Sequence, residues 1–325
     1  MPAADPVTEH HDSAFGRFIE CTWSPPALAP WVETFWYSEG WLANLRERVL
    51  PNGALELVLN LGAPIRMVEG VGAHDLPGGA LSGMLARAAV LEHPRVHRVV
   101  AVRLRPAGAY AVLARPLSEV SDQFVRLDDL LGPVAPELLE RCHEARSPEA
   151  CLRIVARWVT ERVARAPGFD PAIAFVARGI EQSGGEAAIA ALGERAGLSK
   201  SRLATLFRGQ VGTTPKRYAR IIRFRRALDL LDAGARSLAD VALAAGYYDQ
   251  PHMNAEFREL SGMSPRALLT TRYPSGVTMA DPSGACDPSG ACDPSGAAGG
   301  SSTAALSGAV ALSGAVALSG AADPF

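Results

Sequence analysis

Two glycine-centred breaks, each flanked by a short amphipathic segment and a capped second segment, constrain this chain more than any other feature. Residues 189–196 have helical spacing, Gly197 makes a turn, and Ser199 stands at the N-cap of a second helix from 200 to about 210. The arrangement recurs downstream. Ser237 precedes a helix over 238–245, Gly246 turns the chain, and Asp249 caps a helix that ends near 260. Pro251 falls in the first turn of that helix, where its missing N–H has no partner to lose. Leu203, Leu206 and Phe207 in the first unit, and Met253, Phe257 and Leu260 in the second, repeat at helical spacing and face a core. Two helix-turn-helix units lie in tandem.

The segment between them, PKRYARIIRFRRALDLL, reads as one helix over 215–231, started by Thr214-Pro215 and ended before Ala233-Gly234. Such a helix is about 25 Å long. With the width of the two units, it can hold their second helices near the ~34 Å that separates successive major-groove turns on one face of B-DNA. Its arginines, Arg217, Arg220, Arg223, Arg225 and Arg226, are natural phosphate contacts, with some expected to pair with Asp229 or Asp232 instead.

Charge supports that reading only when it is divided along the chain. The 325 residues carry a formal charge of −2, which by itself argues against a polyanion partner. Residues 1–186 have a net charge of −5, residues 187–273 of +7, and residues 274–325 of −4. A basic module therefore sits between two acidic segments, the asymmetry expected of a nucleic-acid-binding part. Lys200 and Lys216 are the only lysines, and the base composition of a genome accounts for that arginine bias.

The first half is punctuated differently. After a segment to about residue 14 that is expected to be flexible, runs such as WVETFWYS, LELVLNL, IRMVEGVG, ALSGML and VVAVRL have strand length and are broken by Pro and Gly. Five or six of them predict a small β-barrel or sandwich. After Pro106 the spacing turns helical, and Ile154, Val155, Trp158, Val159 and Val163 form one apolar stripe. The expected division is a sensor domain over 15–166, a linking helix over 167–186 and a DNA-binding domain over 187–273. From Asp281 a six-residue repeat, DPSGAC and then ALSGAV, predicts a disordered tail over 274–325, being too short and too poor in apolar residues to build a solenoid.

Five cysteines, Cys21, Cys142, Cys151, Cys286 and Cys292, show no paired metal spacing, which fits a reducing, cytoplasmic compartment. No signal peptide or membrane span is expected. His93 and His97 are four apart, but Pro94 forbids a regular helix there, so they read as surface histidines and no metal or cofactor is expected.

The basic module resembles the DNA-binding domain of the AraC/XylS family of bacterial transcription regulators. The matching text is LSKSRLATLFRGQVGTTPKRYARIIRFRRALDLL and SLADVALAAGYYDQPHMNAEFRELSGMSPRALL, with F-x4-G-x-x-P-x-x-Y, A-x-x-x-G-Y-x-D-Q-x-H and G-x-S-P at their places over about 85 residues. The resemblance implies double-stranded promoter DNA as partner, with RNA polymerase and a second copy of the chain as further partners. Activation and repression are both left open. It places base-facing residues at Ser201, Arg202, Ala204 and Thr205 on the first helix and Gln250, His252, Asn254 and Ala255 on the second. The phosphate-facing set is Lys200, Arg208, Lys216, Arg217, Arg220, Arg223 and Arg258. Family members often carry Arg or Gln where Ser201, Ala204 and Thr205 stand, so none of these three supplies a bidentate guanine contact, whereas Gln250 and Asn254 can read adenine. The chain has Met253 for the usual Phe and Ala255 for the usual Arg.

LPNGALELVLNLG and VVAVRLRPAGAYAVL resemble a sensor domain found in some of these regulators, which implies a cupin-like β-barrel open to a small-molecule effector. Trp31, Trp36, Tyr37 and Trp41 are candidates either to line an apolar pocket or to fill the core. The expected fold is α+β in two domains, a cupin-like barrel with a helical extension and an all-α tandem helix-turn-helix. A regulator with no catalytic residues is the favoured reading. A DNA-repair alkyl acceptor, which needs an activated thiolate, and a non-specific architectural binder are the alternatives.

Overall fold

In the computed structural model, which describes residues 5–13, 16–69, 74–235 and 237–271, the first half folds into antiparallel strands. They are β1 (Val7–Ser13), β2 (Gly16–Trp23), β3 (Val32–Leu42), β4 (Arg46–Val49), β5 (Leu55–Asn60), β6 (Ile65–Glu69), β7 (His74–Leu76), β8 (Gly79–Ser82), β9 (Ala89–Glu92), β10 (Val96–Leu104) and β11 (Phe124–Arg126). One sheet has seven strands in the order β1-β2-β3-β10-β5-β8-β11, and the other has four in the order β4-β9-β6-β7. The helices α1 (Pro106–Leu113), α2 (Leu127–Leu131), α3 (Val134–His143) and α4 (Pro148–Ala164) follow.

Side-chain alternation sorts this half into layers. Along β5, Leu55, Leu57 and Leu59 enter the core shared with the helices, while Glu56 and Val58 look toward the smaller sheet. On β10, Val100, Val102 and Leu104 take the helical side, while Val99, Ala101 and Arg103 take the other. Both faces are covered, which explains why LELVLNL and VVAVRL read as continuous apolar runs. On the helical side, Val155, Trp158 and Val159 of α4 are buried, and Ser147 caps the helix by accepting from the Ala150 N–H.

Eleven strands among the described residues exceed the five or six expected. The additional ones are short or polar. Residues 7–13 were expected to be flexible, yet VTEHHDS pairs with β2 over its whole length. An edge strand needs only backbone partners, so a polar sequence carries no apolar signature to betray it. Residues 274–325 lie outside the described residues.

The second half comprises α5 (Pro171–Gln182), α6 (Ile189–Arg195), α7 (Lys200–Val211), α8 (Pro215–Asp232), α9 (Leu238–Ala244), α10 (Gln250–Ser261) and α11 (Pro265–Thr271). The caps at Ser199, Thr214, Ser237 and Asp249 each accept a backbone N–H, and Gly212 and Gly262 end α7 and α10 in left-handed conformation. Helix α8 serves two cores. Tyr218, Ile221 and Ile222 on its first half join the core that runs through α5, α7 and the large sheet, while Phe224, Ala227, Leu228 and Leu231 join the core of the second unit. Phe224 meets Phe257 edge-on at 4.7 Å between ring centroids.

The two halves touch at several places. Ser121 Oγ donates to the Gly212 carbonyl at the end of α7. The Ala88 N–H donates to the Leu260 carbonyl at 2.7 Å, and Gly53 lies against Ile222 and Tyr218. Among the described residues, no helix is long and apolar enough to cross a membrane.

Candidate nucleic-acid interface and enclosed cavity

The N-terminal ends of α7 and α10 lie open. On α7, Lys200, Ser201, Arg202, Thr205 and Arg208 are exposed and Ala204 is half-buried. On α10, His252, Ala255 and Arg258 are exposed, with Gln250 and Asn254 half-buried beside them. Period 3.6 produces this division, since Leu203, Phe207, Val211, Met253, Phe257 and Leu260 are the buried faces. The Asn254 Oδ1 is buried and has no hydrogen-bond partner among the described residues. The His252 ring packs edge-on against Tyr247 at 5.4 Å, and its Nδ1 accepts from the Tyr248 N–H at 3.4 Å. One ring edge of His252 thus supports the turn while the residue stays exposed. Tyr248, not singled out from the sequence, is 87% exposed at that turn. The second of two consecutive tyrosines before a cap was the available signal.

The arginines of α8 are mostly engaged by the protein, several of them by groups outside their own helix. Arg220 donates to Glu256 at 2.6 Å and to Glu259 at 2.5 Å, tying α8 to α10, and these bonds raise its pKa. Arg223 donates to the Gly185 carbonyl at 3.1 Å and lies over the Tyr247 ring. Arg217 donates to Asp122 at 3.2 Å and Arg226 to Glu186 at 2.7 Å. Arg225 reaches across to Glu33 at 3.2 Å and to the Asn52 carbonyl at 3.3 Å. Glu33 has its pKa lowered although burial alone would raise it, because Arg225, Arg103 and Arg105 surround it. Of the expected phosphate set, Lys200, Arg208, Lys216 and Arg258 are exposed and carry no such pairing among the described residues. Arg220 and Arg223 instead fasten the module together, because the carboxylate and carbonyl they need come from elements distant in sequence.

Between the two sheets lies a partly open cavity of about 110 Å³, lined by apolar side chains that include Trp36, Leu42, Val58, Leu91, Val99 and Phe124. One wall is α8, through Arg225, Leu228 and Asp229. Several polar groups in the lining are bonded to one another. Arg103 Nη2 donates to Glu56 Oε1 at 3.0 Å, and the same oxygen accepts from Trp36 Nε1 at 2.8 Å. His93 Nε2 and Glu47 Oε2 are 2.9 Å apart, as are Ser38 Oγ and His97 Nε2 at 2.7 Å. Burial lowers the His97 pKa to about 4, with His93 adding to the effect, so the ring is neutral at pH 7.

Two sequence expectations change here. His93 and His97 are not surface residues; both line the cavity, and His97 is only 3% exposed. Pairing of β10 with β3 sets His97 opposite Gly40, with its ring on the inner face. Of the four aromatic candidates, Trp36 lines the cavity. Its neighbour Tyr37 belongs to the opposite face of β3 and the helical core, Trp31 packs on that core, and Trp41 is half exposed under Arg95. One residue of strand decides the face. Glu47, Glu56, Arg103 and Arg225 were not picked out as cavity residues, since only strand pairing and the docking of α8 assemble them.

Cys21, Cys142 and Cys151 are buried, away from any surface that could meet DNA, and burial pushes the Cys21 thiol up. An alkyl acceptor needs an accessible thiolate. Cys286 and Cys292 lie outside the described residues. Among the described residues, no group of three or more His, Cys, Asp or Glu is placed to hold a metal ion.

Two capped helix-turn-helix units joined by one helix, with basic open ends, define a DNA-binding regulator domain. Residues 192–271 match the family model described as a helix-turn-helix domain, and residues 23–126 match that of a domain of unknown function (DUF6597). The helix-turn-helix match is of AraC type and runs from within α6 to the end of α11. Among solved structures, ToxT from Vibrio cholerae is 9% identical, with 73% of this chain and 98% of that one covered at a TM-score of 0.44. ToxT with bound unsaturated fatty acid is 10% identical, covering 69% and 93% at 0.42. The AraC-like transcriptional activator CuxR is 15% identical, covering 70% and 86% at 0.30. No curated protein sequence matches the chain.

Proposed function

We propose that the chain is a transcription regulator that reads promoter DNA with α7 and α10 and changes that binding when a small molecule occupies the cavity between its sheets. The observation that carries the effector part is the shared wall: Arg225, Leu228 and Asp229 line the cavity and belong to the helix that joins the two units. A ligand that touches α8 acts on the spacing of both recognition helices at once. It shifts the regulator only through contacts that differ between two positions of that helix.

Base reading falls to Ser201, Arg202, Ala204 and Thr205 on α7 and to Gln250, His252, Asn254 and Ala255 on α10. Lys200, Arg208, Lys216 and Arg258 supply phosphate contacts. Gln250 and Asn254 carry the side-chain amides that can read adenine bidentately, which no residue of the α7 set carries.

In vitro selection of DNA sites on the full chain tests this reading. A two-part consensus with its halves one helical turn apart is the expected result. Enrichment of no sequence, together with affinity that does not change with salt, would sink it.

A further inference from the structure

The two helix-turn-helix units differ sharply in charge. Residues 187–236, which hold the first unit and α8, contain eleven bases and three acids, whereas residues 237–273, which hold the second, contain three bases and four acids. The positive charge of the module therefore belongs to its first part. Of the exposed cations expected on phosphate, Lys200, Arg208 and Lys216 stand there, and Arg258 alone stands in the second unit. Residues 246–257, from the turn through most of α10, include no Lys or Arg, and they include the acids Asp249 and Glu256. A recognition helix still needs backbone contacts to fix its register on the duplex, and neutral side chains, tyrosine among them, make such contacts as cations do.

The turns of the two units differ by one residue. The Leu198 N–H donates to the Gly193 carbonyl at 2.9 Å and the Tyr247 N–H to the Ala242 carbonyl at 2.8 Å, so Leu198 and Tyr247 occupy equivalent places. Ser199 caps α7 directly after Leu198, whereas Asp249 caps α10 only after Tyr248 has intervened. Tyr248 is the additional residue. The two consecutive tyrosines then part: Tyr247 is buried in the core of the second unit with its ring under Arg223, and Tyr248 is 87% exposed. The Tyr248 N–H donates to His252 Nδ1 at 3.4 Å, which ties the longer turn to the first turn of α10. Among the described residues, the Tyr248 hydroxyl has no hydrogen-bond partner. Standing one position ahead of the cap of a recognition helix, it lies beside the edge of the groove which that helix enters.

Resting on the reading of α10 as a DNA-reading helix, we propose that Tyr248 is a further DNA-contacting residue, whose phenol hydroxyl donates to a backbone phosphate and gives the second unit an anchor that brings no charge. An uncharged donor neutralises no phosphate, so the contact adds affinity without adding to the salt dependence. It carries no base information, so it strengthens every sequence alike.

The test compares the full-length wild type with Tyr248→Phe on a selected DNA site, over a range of salt and against single-base variants of that site. Loss of the hydroxyl should weaken binding about tenfold, the scale of a hydrogen bond to a charged group. The ranking of the single-base variants and the slope of log affinity against log salt should both stay as in the wild type. Tyr248→Ala should lose about as much as Tyr248→Phe, and at so exposed a position both variants should keep the thermal unfolding of the wild type. Arg258→Gln should give the contrasting pattern, a salt slope shallower by about one. A loss confined to one base position, a shallower salt slope in Tyr248→Phe, or a loss in Tyr248→Ala that Tyr248→Phe does not share overturns the inference. A wild type that selects no site strikes the regulator reading and this inference with it. A wild type that selects a site which Tyr248→Phe binds equally well overturns this inference alone.

Discussion

Arg220 and Asn254 illustrate how far a residue's role depends on its partners. Arg220 was expected on phosphate, but it holds Glu256, which is buried, and Glu259. Arg220→Ala should therefore destabilise the folded chain by about 3 kcal/mol in urea denaturation, because it strands a buried carboxylate. The salt dependence of DNA binding by the folded variant should stay unchanged. A phosphate contact would give the opposite pattern, a shallower salt dependence with stability intact. Asn254→Ala should cost roughly 1–3 kcal/mol at one position of the selected site and relax the preference there. Specificity profiling by competition with single-base variants checks it. His97 makes a pH prediction. Its folded pKa of about 4 lies below the ordinary 6.5, so between those values the unfolded chain binds the extra proton. Stability is full above pH 6.5 and falls as the pH drops toward 4, by about 3 kcal/mol from this residue. A His97→Gln variant should lack that part of the slope.

At the scale of elements, α8 is the piece on which both halves depend. Its first half is packed with the sheet domain and its second with α9 and α10, and the Arg225 to Glu33 pair crosses between the halves. Glu33→Gln should loosen that crossing by about 2 kcal/mol, less than a fully stranded pair because Asn52 still accepts from Arg225. Hydrogen exchange should then rise in α8 while the strands of the large sheet keep their protection. Exchange rising equally everywhere would mean global destabilisation and no special role for the crossing. Local sequence specified these helices well because Ser199, Thr214, Ser237 and Asp249 cap them and Gly212 and Gly262 end them. The edge strand β1 was missed for want of an apolar pattern.

For the whole molecule, the charge of +7 on residues 187–273 overstates what DNA meets. With Arg217, Arg220 and Arg223 bonded within the protein, four members of the expected phosphate set stay unpaired and exposed. The plot of log affinity against log salt should then have a slope of about −4, against about −6 if all seven engaged phosphate. Electrophoretic or fluorescence titrations over a range of salt distinguish the two. The tandem units and their outward faces were legible because helical periodicity and capping are local properties, written in residues a few positions apart. The apolar strands were legible too, but not the face that each residue takes. Which arginines remain exposed, that His97 faces inward, and that Arg225 closes a cavity built by strands a hundred residues or more away were decided only by tertiary structure. Charge pairing and burial are set by neighbours in space, and those neighbours come from parts of the chain that no local pattern connects.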